Sequence, residues 1–318
     1  MWAKGLARQA VSGYCDPMLR YLLYSALFAI GAAACAHVAV SAFAAYVIGT
    51  FNQRIFDVRT FDSPVFPSLI GGYIESQQPL GGLAVGSSFT YGYPYAEDLT
   101  FPAVAGVTNV SVLSGDLAMS YHAALCEMKA RGIRAKSLIL EVPLVNDIYS
   151  LVHYNRRPMV CDETVRKSLF AFALGKPIGL GWYDKFADTS TLRERGKDIQ
   201  IIDVAPGYFA SRSDFERVRQ ELRDRMQANY DLAKEVADEA FLFITPVYVP
   251  GIAEAGDDPQ KVREQFQFAQ AACSEIAGDR CLPTDDFLDR RDLYFNLTHL
   301  NADGAQVFGE LARQALDD

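Results

Sequence analysis

The sequence predicts an α/β domain on a mostly parallel sheet, preceded by one apolar membrane-spanning segment. Two observations carry this. From residue 81 onward, short β-branched or apolar runs alternate with amphipathic stretches of helical period, as expected of strands joined by crossover helices. Ahead of them, Tyr21 to Gln53 form 33 consecutive positions without Asp, Glu, Lys or Arg. The composition, 50% hydrophobic and 22% charged over 318 residues, excludes a disordered or fibrous chain.

Leu22 to Phe51 is about 30 residues long, and about 20 suffice to cross a bilayer as a helix. Tyr21 and Tyr24 at one end, and Tyr46 and Phe51 at the other, are placed as interfacial anchors. The flank carries Lys4, Arg8 and Arg20 against Asp16. This positive excess predicts cytoplasmic residues 1–20, a single pass over 21–53 in the inner or plasma membrane, and a periplasmic or extracytoplasmic body. Ala42-Phe43-Ala44 offers a signal-peptide cleavage site and Cys35 a lipidation site. The length of the apolar run favours an uncleaved anchor over both.

With the first 53 residues set aside, the remainder carries a net charge of −11. That argues against a nucleic-acid partner, which needs a basic surface. Four of the six cysteines, Cys126, Cys161, Cys273 and Cys281, fall in this part, an even number in a disulfide-permissive compartment. Cys273 with Cys281 closes a short local loop, leaving Cys126 with Cys161. There is no C-x-x-C spacing and only four histidines are scattered along the chain, so neither a metal site nor a cofactor is expected.

Residues 54–80, with Pro64, Pro67, Pro79 and Gly71-Gly72, read as a linker. Within the domain over 81–318, strands are expected at Leu83-Ala84-Val85, Val107 to Leu113, Ser137 to Val142 and Phe241 to Thr245. Helices are expected over Leu117 to Arg131, Ser213 to Ala237, Pro259 to Ile276 and Ala302 to Leu316. Three have polar start signals at Ser213-Asp214, Asp257-Asp258-Pro259 and Asn301 to Gly304. Residues 150–207 have weak periodicity and read as an insertion or lid. Its rings (Phe170, Phe172, Trp182, Tyr183, Phe186) suit core packing better than a sugar-binding floor.

The first strand ends in Gly86-Ser87-Ser88-Phe89-Thr90, small residues that let the chain turn at the carboxyl edge of a parallel sheet. A serine there exposes its Oγ and turns its N–H toward an oxyanion. A serine needs a general base, usually a histidine, and His299 stands in Asn296-Leu297-Thr298-His299-Leu300-Asn301-Ala302-Asp303-Gly304; read alone, a histidine before a helix is more often a cap or surface residue. Other candidates have plainer readings. Asp285, Asp286, Asp289 and Asp292 form an acidic run best read as a solvated loop, and the Asn296-Leu297-Thr298 sequon is a frequent chance match.

Taken together, the two ends resemble the SGNH (GDSL-like) hydrolase superfamily. Val85 to Thr90 is similar to its G-D-S-F-T block, with Ser87 in the aspartate position and Ser88 as nucleophile. Asn109 to Asp116 resembles the second block, whose glycine, here Gly115, lends a backbone N–H to the oxyanion hole. Val142 to Asp147 resembles G-x-N-D, with Leu144 replacing the glycine and Asn146 as a side-chain donor. The stretch around His299 resembles D-x-x-H-x-N-x-x-G, with Asn296 where the aspartate stands. The resemblance implies a three-layer, flavodoxin-like fold with helices on both faces of the sheet.

Asn296 leaves three outcomes open: a Ser88–His299 dyad oriented by an amide, recruitment of Asp292 as an alternative acid, or a degenerate site. A tethered body of this family implies a serine esterase or O-acetyltransferase acting on O-acyl groups of cell-surface polysaccharide, beside a multi-span membrane acyltransferase. Its rivals are a plain exported esterase or lipase and a catalytically silent accessory subunit of a polysaccharide assembly.

Overall fold

The computed structural model describes residues 21–36, 39, 71, 74–75, 79–92, 97–111, 117, 121–153, 159, 161 and 209–317. The chain divides into two compact units, residues 1–47 and 48–318. In the first, residues 21–36 and 39 are helical, with exposed side chains that include Tyr21, Tyr24 and Phe28. Among the described residues no helix is long and apolar enough to cross a membrane. Residues 40–53 of the uncharged stretch, and the flank over 1–20, lie outside the described residues.

The second unit is α/β, with a five-stranded parallel sheet flanked by helices. Its strands are β1 (Gly82–Gly86), β2 (Thr108–Ser111), β3 (Ala135–Val142), β4 (Ala237–Ile244) and β5 (Cys281–Leu282). The spatial order is β2-β1-β3-β4-β5, with every pairing parallel. β3 and β4 run through the middle, and from Leu138 to Val142 and from Ala240 to Ile244 every side chain is buried. The apolar runs there do not alternate because both strand faces are covered.

Between the strands lie α1 (Ser88–Tyr91), α2 (Phe101–Ala105), α3 (His122–Arg131), α4 (Leu144–His153), α5 (Arg212–Val236), α6 (Val249–Glu254) and α7 (Pro259–Ala277), and α8 (Ala302–Asp317) follows β5. α2 packs on α8, while α5 packs on α3, α4 and α7. Two start signals act as polar caps: Asp258 Oδ1 accepts from Gln260 N–H at 2.9 Å and Asn301 Oδ1 from Gly304 N–H at 2.8 Å. At the third helix the cap is Ser211, ahead of the expected Ser213-Asp214, its Oγ accepting from Asp214 N–H at 3.1 Å. Under β1 and β4 sits an aromatic cluster of Phe89, Phe101, Phe243, Phe287 and Phe308. Phe101 and Phe308 meet edge-to-face at 4.7 Å between centroids, and Phe308 also touches the other three rings.

The four expected strands and four expected helices all occur, with shifted ends. The helix expected from Leu117 becomes regular only at His122, after wider π-type turns at Leu117 and Tyr121. β5 is two residues long, too short to leave a pattern. α2 has five residues, and α4 follows β3 after Pro143 alone, so its apolar positions merge with those of the strand. The end of the expected linker is packed: Ile74 is fully buried, and Glu75 pairs with Arg131 at 2.6 Å. Of the expected insertion, residues 154–158, 160 and 162–207, including its five rings, lie outside the described residues. Cys126–Cys161 and Cys273–Cys281 are disulfides.

Candidate active site

The strand order fixes where a site can form. From β1 the chain crosses to β2 on one side, then returns past β1 to β3 on the other. The carboxyl ends of β1 and β3 therefore flank a topological switch point, where the two connections diverge and leave a crevice. Ser87 and Ser88 leave the end of β1, and Pro143 to Asn146 leave the end of β3. Together with Phe89, Thr245, Val247, Thr298 and His299 they line a cleft open to solvent.

Ser88 is the first residue of α1, capped by Ser87, whose Oγ accepts from Phe89 N–H at 3.3 Å. Two buried features hold this turn from below. Phe89 enters the aromatic cluster. Glu141, fully buried near the end of β3, accepts the N–H groups of Ser87 (2.7 Å) and Thr90 (3.1 Å) and touches the hydroxyls of Ser87, Thr90 and Thr245. The strand must end in glycine here, because a Cβ on Gly86 would collide with Thr90 Oγ1 and Glu141 Oε2. Burial pushes the Glu141 carboxyl above its ordinary range, against the pull of the hydrogen bonds it receives.

His299 sits in a tight loop ahead of α8. Its carbonyl accepts from Phe295 N–H at 2.9 Å, and Tyr294 bridges to Leu300. Asn301 staples the loop by donating from Nδ2 to the Asp292 carbonyl at 2.7 Å. His299 Nε2 lies 2.7 Å from Ser88 Oγ, across 211 residues of sequence. On the other side of the ring, Nδ1 lies 2.9 Å from Asn296 Oδ1.

Hydrogen-bond bookkeeping favours one tautomer. Asn296 Oδ1 also accepts the backbone N–H groups of Thr298 and His299, each at 2.9 Å. An amide N–H can only donate, so this atom is the oxygen and the side chain is not flipped. The Thr298 hydroxyl also stands 3.1 Å from Nδ1 and would donate to it in the other tautomer, but that would set the lone pairs of Nδ1 and Asn296 Oδ1 face to face at 2.9 Å. A proton on Nδ1 avoids this and leaves the Nε2 lone pair for the Ser88 hydroxyl. That is the tautomer a general base requires. Burial holds the His299 pKa down to about 4, so the ring is neutral, and able to take a proton, at neutral pH.

Asn146, on α4, lines the same cleft. Gly115 lies outside the described residues, but the backbone just beyond it is held at both polar groups. Leu117 N–H donates to Asp147 Oδ1 at 3.0 Å, and the Leu117 carbonyl accepts from Asn229 Nδ2 at 2.9 Å. Asp147, fully buried, thereby ties the segment after Gly115 to the residue next to Asn146.

Ser88, His299 and Asn146 thus line one cleft, Asn296 holds the histidine from behind, and Asp292 does not join them. Asp292 is exposed and binds Arg290 through two contacts of 2.9 and 2.6 Å, while His299 Nδ1 is already occupied by Asn296. Sequence reasoning missed Glu141, Thr90, Thr245 and Thr298. For Glu141 a signal exists: it is the single acid in the run Leu138-Ile139-Leu140-Glu141-Val142, and acids are almost never fully buried without partners. Among the described residues, His122, Cys126 and Cys161 bring potential ligand atoms within 4.8 Å of one another. The two sulfurs are bonded to each other, so they offer no thiolate to a metal. A scan of protein-family models returns no match for the chain, and a search of curated proteins returns none either.

Proposed function

We propose that the protein is a membrane-anchored, extracytoplasmic SGNH-like acyltransferase or esterase acting on O-acyl groups of cell-surface polysaccharide through Ser88. The observation that carries this reading is the 2.7 Å contact between Ser88 Oγ and the unprotonated Nε2 of His299, at a sheet switch point. Support also comes from the crossovers. With right-handed crossovers, α2 lies on the opposite face from α3, α5 and α7, because the direction of crossing reverses at β2. That is the three-layer arrangement of the SGNH family. The anchor rests on the uncharged stretch from Tyr21 to Gln53.

Ser88 Oγ attacks the acyl carbonyl while His299 Nε2 takes its proton. The carbonyl π electrons move to oxygen, and the resulting oxyanion is held by Ser88 N–H, the Asn146 side-chain N–H and the N–H of Gly115. Collapse breaks the bond to the leaving oxygen, which takes the proton from Nε2, and an acyl-Ser88 ester remains. A sugar hydroxyl or water then repeats the sequence in reverse. Asn296 keeps Nδ1 protonated throughout and turns Nε2 toward the serine. The reaction class needs no cofactor.

Labelling of the full-length chain in detergent with a fluorophosphonate tests the reading. Wild type is labelled, and Ser88→Ala and His299→Ala are not. A folded wild type that takes no label overturns it and supports the silent-subunit alternative, which the uncharged Asn296 favours. Acyl transfer from an activated ester to an oligosaccharide separates a transferase from a plain esterase or lipase, which passes the acyl group to water alone.

A further inference from the structure

Glu141 has no place in the reaction just described, yet it is fully buried directly beneath the serine turn. Among the described residues its partners are two backbone amides and three hydroxyls, with no cation. Building on the serine-hydrolase reading of Ser88, we propose that Glu141 is the positioning residue of the nucleophile. It is a neutral carboxylic acid that donates from Oε1 to Thr245 and holds the Ser87–Thr90 turn so that Ser88 Oγ meets His299 Nε2.

The protonation state follows from counting hydrogens. Oε2 receives the N–H groups of Ser87 and Thr90; amides only donate, so Oε2 carries no proton. Ser87 Oγ already accepts from Phe89 N–H, and its own hydrogen points to Oε1. Thr245 Oγ1 lies 2.8 Å from Oε1 and 3.0 Å from the Val142 carbonyl. A hydroxyl has one hydrogen, and the carbonyl can only accept. The Val142 carbonyl also accepts the Thr245 backbone N–H at 3.0 Å. Each side-chain contact has a hydrogen of its own when Oε1 donates to Thr245 Oγ1 and Thr245 donates to Val142, whereas an ionised Glu141 leaves one hydrogen shared between two acceptors. Burial without a counter-charge favours the same form.

Positioning follows from which residues the carboxyl grips. Ser87 and Thr90 bracket Ser88 and Phe89, so both ends of the turn are tied to one group on the central strand β3. Thr245 extends the tie to the end of β4, which lines the same cleft. Loosening that grip leaves Ser88 in place chemically but lets its Oγ wander from Nε2. A displacement of about 1 Å in a reacting group costs on the order of 100-fold in rate.

The experiment compares full-length wild type, Ser88→Ala, Glu141→Gln and Glu141→Ala in detergent, with folding checked by circular dichroism. Hydrolysis of p-nitrophenyl acetate and the infrared difference spectrum of wild type against Glu141→Gln are measured. Glutamine keeps one acceptor for the two amides and places an N–H where the acid proton stood. It is expected to retain kcat within about three-fold, whereas Glu141→Ala loses about 100-fold in kcat with KM little changed. The spectrum is expected to show a protonated-carboxyl band in wild type that Glu141→Gln lacks. Folded Glu141→Gln as inactive as Ser88→Ala, or absence of that band, overturns the proposal. Hydrolysis that survives in Ser88→Ala instead overturns the catalytic reading, and with it the positioning role, while the infrared band still decides the state of Glu141.

Discussion

Replacing Asn296 with aspartate asks how much the missing charge matters, and the geometry allows a magnitude. Asn296 Oδ1 accepts from Thr298 N–H, His299 N–H and His299 Nδ1–H, all at 2.9 Å, and each of these donors also suits a carboxylate. The Asn296→Asp side chain therefore fits without rebuilding the loop, and the histidine tautomer does not change. Only the electrostatic part of the triad interaction is added.

A carboxylate about 4 Å from the imidazolium charge is worth about 4 kcal/mol at an effective dielectric of 20, before the cost of desolvating the carboxylate. The gain from a neutral to a charge-assisted hydrogen bond is about 1 kcal/mol. A value of about 2 kcal/mol between these bounds corresponds to a rise of about 30-fold in kcat/KM. The pH profile should move as well. His299 works as a base only when neutral, and its pKa is held down to about 4, so the wild-type rate climbs through that region and is flat at neutral pH. In Asn296→Asp the carboxylate favours the imidazolium and the acid limb moves to higher pH. Hydrolysis of p-nitrophenyl acetate across pH by full-length protein measures both effects. A folded Asn296→Asp with unchanged or lower kcat/KM and an unmoved acid limb refutes the role given to Asn296.

Phe308→Ala removes a fully buried ring that touches Phe89, Phe101, Phe243 and Phe287. It should cost about 3–5 kcal/mol in chemical denaturation; a loss below about 1 kcal/mol would mean the cluster refills the space. The Cys273–Cys281 bridge spans a sequence separation of 8. Replacing both cysteines with serine should lower stability by about 2.5 kcal/mol in the loop-entropy account, and equal stability of the variant and the oxidised wild type would exclude that contribution.

The parts of the site carried by contiguous residues were legible in the sequence. Ser88 follows an apolar strand and sits among small residues, and His299 precedes a helix whose start is marked by Asn301 and Gly304. Apart from the Ser88–His299 pair, which the family resemblance joined across 211 residues, what the chain brings together from afar was not. Glu141 shows in the sequence only as an acid interrupting an apolar run, and its partners stand 54, 51 and 104 positions away. Asp292 illustrates the converse. It lies close to His299 in sequence and carries the charge a triad wants, yet Arg290 turns its carboxylate to solvent while its backbone carbonyl is used to staple the loop. Spacing locates a residue on the chain but does not aim its side chain. The short elements α2, α6 and β5 were missed for another reason: with five, six and two residues there is too little sequence for a period to develop.

In the reaction proposed for Ser88, neutral partners on both sides of the reacting pair decide which half is hard. With an amide beneath His299 and an uncharged acid beneath the serine turn, no formal negative charge is hydrogen-bonded to the turn or to the ring among the described residues. The imidazolium formed on attack is therefore poorly stabilised, so taking the proton from Ser88 is costly. The oxyanion formed in the same step is spared the repulsion that a nearby carboxylate would bring, and it meets donors from Ser88 and Asn146. Once formed, an imidazolium of depressed pKa is a strong acid and protonates the leaving oxygen readily. Attack rather than expulsion then limits acylation, and such a site discriminates acyl groups by how easily their carbonyl is attacked more than by the alcohol they leave behind.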